Sequence, residues 1–170
     1  ATAWEVNTAT YASIFKDVSA QDDNMSGVSF NLDGTKMYTI GYTNNTVYQY
    51  TLSSAWDVST ASYDSVSLFI VAPSIILRSY SFTFSPDGSN MYVTINESPG
   101  TDDDVYQYAL STAWDLSSAG FVASINVSTE AGAPYGVRFD PYGTAMYIAN
   151  NQDNSIYQYT LSTAWDITTA

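Results

Sequence analysis

Val28-Ser-Phe-Asn-Leu-Asp-Gly-Thr-Lys-Met-Tyr38 recurs as Phe82-Thr-Phe-Ser-Pro-Asp-Gly-Ser-Asn-Met-Tyr92 and again as Val137-Arg-Phe-Asp-Pro-Tyr-Gly-Thr-Ala-Met-Tyr147. Phe30, Phe84 and Phe139 mark the period, 54 and then 55 residues apart. A second block follows each copy: Val47-Tyr-Gln-Tyr-Thr-Leu-Ser-Ser-Ala-Trp-Asp57, Val105-Tyr-Gln-Tyr-Ala-Leu-Ser-Thr-Ala-Trp-Asp115 and Ile156-Tyr-Gln-Tyr-Thr-Leu-Ser-Thr-Ala-Trp-Asp166. One unit is therefore present three times, and a period of this size reads as a repeat architecture. Within a unit, β-branched and aromatic runs are punctuated by turn residues, which predicts four short strands. In the first copy they are A at 27–31, B at 36–41, C at 46–52 and D at 63–70. Asp33-Gly34, Asp87-Gly88 and Tyr142-Gly143 join A to B, glycine supplying the positive φ of a tight turn. Strand C sets Tyr48, Tyr50 and Leu52 on one face and Val47, Gln49 and Thr51 on the other. Bulk on both faces suits a sheet packed between two neighbours.

Phe84-Ser-Pro-Asp-Gly, followed two residues on by Met91-Tyr-Val93, resembles the signature of the YVTN and NHL-type β-propeller repeats. The resemblance covers nearly the whole chain. Repeat 1 departs from it at Leu32, where the pattern has Pro, and repeat 3 at Tyr142, where the pattern has the turn aspartate. It implies an all-β propeller with three four-stranded blades in residues 1–170: repeat 1 at about 17–70, repeat 2 at about 71–126 and repeat 3 at about 127–170. A β-trefoil also uses three four-stranded repeats and is the alternative, although a unit near 54 residues is blade-sized. The full unit with its Trp-Asp tail is similar to repeats of secreted bacterial and phage or other particle-surface proteins. Such repeats serve many functions, so fold alone transfers none.

Residues 1–9 align with 162–170, so the chain opens on a linker and an orphan strand D at about 10–16 and closes on a blade lacking its D. Three blades fall below the four to eight that close a ring. Donation of Tyr11, Ser13 and Phe15 to the edge formed by Tyr157 and Tyr159 of another copy is expected to complete a six-bladed dimer or to run on as a filament. An excerpt of a longer propeller is the third solution. The partner expected here is the chain itself.

Composition narrows the chemistry. The 170 residues hold 4 Lys and Arg against 17 Asp and Glu, a formal charge of −13. Lys16, Lys36, Arg78 and Arg138 are scattered singly, which excludes a phosphate-backbone reader of nucleic acid. With no His and no Cys, there is no Ser-His-Asp triad, no thiolate nucleophile, no zinc site of the usual ligands and no disulfide. No run approaches the ~18 apolar residues of a membrane span. The acidic, Asn-, Ser-, Thr- and Tyr-rich surface fits an extracellular, cell-surface or virus-particle location.

Strand direction puts the near-identical A-to-B and C-to-D loops on one rim and the individualised D-to-A and B-to-C loops on the other. Binding residues belong on individualised loops carried by a rigid scaffold. That rim carries Asp22, Asp23, Asp102, Asp103 and Asp104, hard oxygen ligands that invite Ca2+; a solvated acidic rim is the competing reading. Trp56, Trp114 and Trp165, each beside a carboxylate, read either as sugar-stacking sites, with Asn150 and Asn151 on the other rim as further carbohydrate contacts, or as edge covers whose carboxylate caps the turn. An acid pair such as Glu97 and Asp102 could serve a propeller lactonase or metal-dependent hydrolase. Sparse cations and the lack of His argue against turnover. The sequence thus points to a non-catalytic structural or adhesive propeller that self-assembles, with a glycan-binding, lectin-like propeller as the alternative.

Overall fold

The structure is a computed structural model that describes residues 5–70, 77–97 and 103–170. Blade 1 is the sheet β1-β2-β3-β4, formed by Met25–Phe30, Lys36–Gly41, Thr46–Leu52 and Ala61–Phe69. Blade 2 is β5-β6-β7-β8, formed by Leu77–Phe84, Asn90–Glu97, Asp104–Leu110 and Ala119–Asn126. Blade 3 is the three-stranded sheet of β9 (Pro134–Phe139), β10 (Ala145–Asn150) and β11 (Ser155–Thr160). All neighbours pair antiparallel. The first strands of the blades, β1, β5 and β9, pack against one another in series, so they form the innermost layer of a propeller arc. Strands B and C of repeat 1 have the expected bounds; A and D each begin two residues early.

Residues 10–16 lie in no strand. Tyr11 and Phe15 are exposed, and β11 is the outer strand of its sheet among the described residues. Even so, Ser13 has φ 59°, the value also found at Ser65 inside β4, and the two serines are equivalent when Trp4 is aligned with Trp56.

Each A-to-B turn supports the tryptophan of its own blade. Gly34, Gly88 and Gly143 all have φ +72°, and a Cβ on any of them would fall 2.3 Å from the indole of Trp56, Trp114 or Trp165 respectively. Those tryptophans have φ 66°, 65° and 66°, and their N–H groups donate to the glycine carbonyls at 2.9, 3.1 and 2.9 Å. The following Asp57, Asp115 or Asp166 caps a short 3-10 helix by accepting from the backbone N–H two residues on. Asp33, Asp87 and Asp140 likewise bind turn N–H groups. In repeat 3, Asp140 accepts from both Thr144 and Ala145 N–H, which replaces the aspartate missing at Tyr142.

The blades are joined by a repeated clasp. The buried Tyr38 hydroxyl of β2 donates to the Trp114 carbonyl at 2.5 Å, and the Gln49 carbonyl oxygen accepts from Leu116 N–H at 2.9 Å. One blade on, Tyr92 donates to Trp165 O at 2.7 Å, and Gln107 accepts from Ile167 N–H at 3.2 Å while donating to Trp165 O at 3.0 Å. Around each clasp lies a core layer: Tyr38, Ile40 and Val47 against Phe82, Phe84 and Leu116, then Tyr92 and Val105 against Val137, Met146 and Ile167. Burial holds the Tyr38 and Tyr92 hydroxyls protonated well above the usual phenol range, so they act as donors throughout the ordinary pH range.

Two outcomes follow. Gly88→Ala meets both a left-handed φ and the Trp114 ring and should cost about 2–4 kcal/mol in chemical denaturation, whereas Gly120→Ala, with nothing within 4 Å of its Cβ, should stay within about 0.5 kcal/mol. Hydrogen bonds from Thr35 and Ser85 lower the carboxyls of Asp33 and Asp87, and the Ala145 N–H lowers that of Asp140, all below the ordinary 3.8. Their contribution is complete above that value and is lost as pH falls through the lowered folded values. Melting temperature measured against pH should therefore drop below about pH 4, and less steeply in an Asp87→Asn, Asp140→Asn variant.

Candidate functional site

The individualised rim lies at the starts of β1, β5 and β9. On each of these innermost strands one residue is bulged out of register with its neighbour: Ser26 opposite the Ile40–Gly41 step, Tyr80 opposite Thr94–Ile95, and Tyr135 opposite Ala149–Asn150. A bulged residue leaves the alternation of its strand and is re-aimed. The result is a row of aromatic rings across all three blades. Tyr80 and Tyr135 stack with centroids 3.9 Å apart and planes 17° from parallel, and Tyr42, just after β2, meets Tyr80 at 5.5 Å. Tyr135 is exposed and Tyr42 and Tyr80 are half-buried. The row therefore presents ring faces and hydroxyls at the inner end of the rim.

Sequence reasoning missed these three tyrosines among the 15 present. The signal was their spacing: Tyr80 and Tyr135 stand four residues before Phe84 and Phe139, as Ser26 stands before Phe30.

Under the row, the rim's polar side chains hold the loops. Asp22 is buried, with Oδ1 accepting from Asn24 N–H at 2.8 Å and Oδ2 from Asn44 N–H at 2.9 Å. Gly41 permits this, since a Cβ there would lie 1.8 Å from Asp22 Oδ2. Asn150, also buried, accepts from Ala133 N–H at 2.8 Å and donates to Asp153 at 2.7 Å. Asn151 is exposed and its N–H donates to the Ala133 carbonyl. Asp103 is buried, and its carbonyl accepts from Val127 N–H. Asp104 opens β7 opposite Asn126, and Asp23 is exposed. Asp102 lies outside the described residues, as does the side chain of Glu97. Among the described residues no three carboxylates come together as a metal-ligand group.

The other anticipated residues are distributed elsewhere. Trp114 and Trp165 are half-buried in the joints between blades, and Trp56 is exposed on the outer side of blade 1. Tyr157 and Tyr159 turn toward blade 2 and pack on its core layer. Tyr157 donates to Asp153 at 2.5 Å, and burial pushes the Tyr159 hydroxyl up to about 12. A polar groove of about 670 Å³ between blades 1 and 2 holds the Lys36–Asp64 ion pair at 2.9 Å. Its Asp64 carboxylate is already engaged by Gln49 and Thr51.

With this geometry, the chain is a β-propeller arc, and comparison with solved structures agrees. A Bacteroides fragilis protein named as a candidate 6-phosphogluconolactonase superposes with TM-score 0.62 at 18% identity, over 85% of this chain and 36% of that one. The periplasmic gluconolactonase of Pseudomonas aeruginosa gives 0.61 at 18% identity, over 81% and 36%. The Swd1 β-propeller domain of Myceliophteria thermophila gives 0.54 at 10% identity, over 81% and 38%. The chain thus spans little more than a third of the length of each. No family model matches the sequence, and no curated protein matches it in sequence.

These neighbours correct the functional expectation. A non-catalytic structural or adhesive propeller, with a lectin-like one as the alternative, was inferred from missing His and scarce cations. Propellers of this shape include proteins named as enzymes, so those absences do not place the chain outside catalysis. The extracellular, filament and adhesion expectations gain no support from them either.

The loop-holding role of Asp22 is measurable. Asp22→Ala leaves two backbone N–H groups without their acceptor and should destabilise the protein by about 1–3 kcal/mol, with amide exchange accelerating first at Asn24 and Asn44.

Proposed function

We propose that the chain is part of a propeller hydrolase of YVTN/NHL repeat type that opens small cyclic esters of sugars at the aromatic row of its individualised rim. The observation carrying this reading is the convergence of Tyr42, Tyr80 and Tyr135 from three blades onto the inner end of one rim. A flat, hydroxylated lactone ring offers apolar C–H faces to tyrosine rings and hydroxyls to their O–H groups. Ester hydrolysis also needs a donor for the oxyanion and a base for the attacking water. A tyrosine O–H of the row can donate to that oxyanion. In sequence, Arg78 stands two residues before Tyr80 on β5. With no His in the chain, water activation falls to a carboxylate of the rim, Asp23 before β1. The lactonase names among the structural neighbours support the reaction class. The charge of −13 favours an unphosphorylated substrate.

The test is acid release from gluconolactone, followed against the spontaneous rate. Wild type should exceed that rate, and Tyr80→Ala and Tyr135→Ala should each lower kcat/KM by tenfold or more. Tyr142→Ala, exposed at an A-to-B turn on the opposite rim, should leave it unchanged. A folded wild-type protein that gives no rate above background on a panel of sugar lactones overturns the reading.

A further inference from the structure

The clasp that joins blade 1 to blade 2 and blade 2 to blade 3 is half-built a third time. On blade 3, Tyr147 occupies the position of Tyr38 and Tyr92, and Gln158 that of Gln49 and Gln107. Among the described residues neither side chain has a hydrogen-bond partner. The apolar residue beside them, Ile156, is 68% exposed, whereas its counterparts Val47 and Val105 are at 0%. A groove of about 290 Å³ runs along this face.

The complementary half lies on the opposite side of the same chain. Inside the protein, a clasp closes on a tryptophan carbonyl, the N–H two residues later and an apolar residue of the innermost strand. Trp114, Leu116 and Phe82 fill these places at the first joint, and Trp165, Ile167 and Val137 at the second. On blade 1 the equivalents are Trp56, Val58 and Val28. Trp56 is 59% exposed and Val28 57%, against 2% at Phe82 and 0% at Val137, and a groove of about 370 Å³ borders Val28 and Val58. Trp56 already has the left-handed φ and the glycine seat of the other two tryptophans. The half-clasp on blade 1 is therefore preformed.

We infer that the Tyr147–Gln158 face of blade 3 docks the Trp56–Val58 face of blade 1 from a second copy of this chain. Tyr147 donates to the Trp56 carbonyl, Gln158 accepts from Val58 N–H, and Ile156 and Val28 are covered as their counterparts are. The occupant is a second copy because this chain itself displays both halves, each continuous with a joint used twice within it. The contact is face to face between whole blades, side chains of blade 3 meeting backbone groups and apolar side chains of blade 1. It goes beyond the hydrolase reading and does not depend on it. Two chains of charge −13 repel, so salt should strengthen the association.

Sedimentation of the whole chain over a concentration series at low and high salt tests this. Wild type should associate, with the fraction assembled rising with salt; a mass that stops at 37.0 kDa, twice 18.5 kDa, shows a pair that closes on itself, and larger species show the same faces used in an open series. Ile156→Glu and Val28→Glu alter exposed side chains, so both variants should fold and each alone should remain monomeric. Mixed, they should form a 1:1 complex, since one intact face of each kind survives. Tyr147→Phe should weaken association by about tenfold, the effect of one lost buried hydrogen bond. Tyr38→Phe makes the same lesion inside the chain and should lower the melting temperature without changing the mass. Wild type that stays monomeric at all concentrations and salts overturns the inference. So does association that survives either glutamate variant.

Discussion

A tryptophan seated on a glycine is the joint on which the arc depends. At φ near +65° the residue faces two ways: its N–H closes on the turn of its own blade, and its carbonyl is offered to the preceding one. The left-handed conformation costs a bulky residue about 1–3 kcal/mol. Two hydrogen bonds offset it, together with ring contacts to Phe84 or Phe139 at centroid distances of 5.1 and 5.4 Å. Only glycine leaves room beneath the indole. Strand twist and core packing then follow from a linker whose direction is already set.

The acidic balance is less hostile to this structure than the net charge suggests. Many of the carboxylates are spent locally, as caps and turn acceptors, and hydrogen bonds hold those of the A-to-B turns, Asp33, Asp87 and Asp140, in their charged form. Repulsion at longer range is left to act between molecules. The same residues therefore tighten loops and discourage indiscriminate contact.

Much of the fold was legible in the sequence because it is written three times. The Asp-Gly turns, the alternation of strand C and the Trp-Asp linker each recur, and repetition separates scaffold from accident. The aromatic row was not legible. Tyr80 and Tyr135 sit on bulges, which displace a side chain from the period-two pattern that identifies a strand face, while in the first repeat that position holds Ser26 and the ring comes from Tyr42 in the loop after β2. The rim carboxylates were recognisable by type, yet their hydrogen bonds depend on approaches such as Gly41 to Asp22 that sequence spacing does not reveal. Strand D at 10–16 carried the right pattern but has no partner strand among the described residues to make it a strand. The functional reading failed for a different reason: it took missing residue types as evidence against catalysis, although proteins of the same fold are named as enzymes.

Because Ser26, Tyr80 and Tyr135 are bulged, they stand outside the ladders that hold the innermost strands together. The residue type at those three positions is not set by the strand register, as the serine in the first repeat shows. The propeller thus keeps its interior lining on sites that selection can rewrite one at a time, leaving joints, turns and cores untouched. Divergence of ligand preference within such an architecture requires no new fold and little sacrifice of stability.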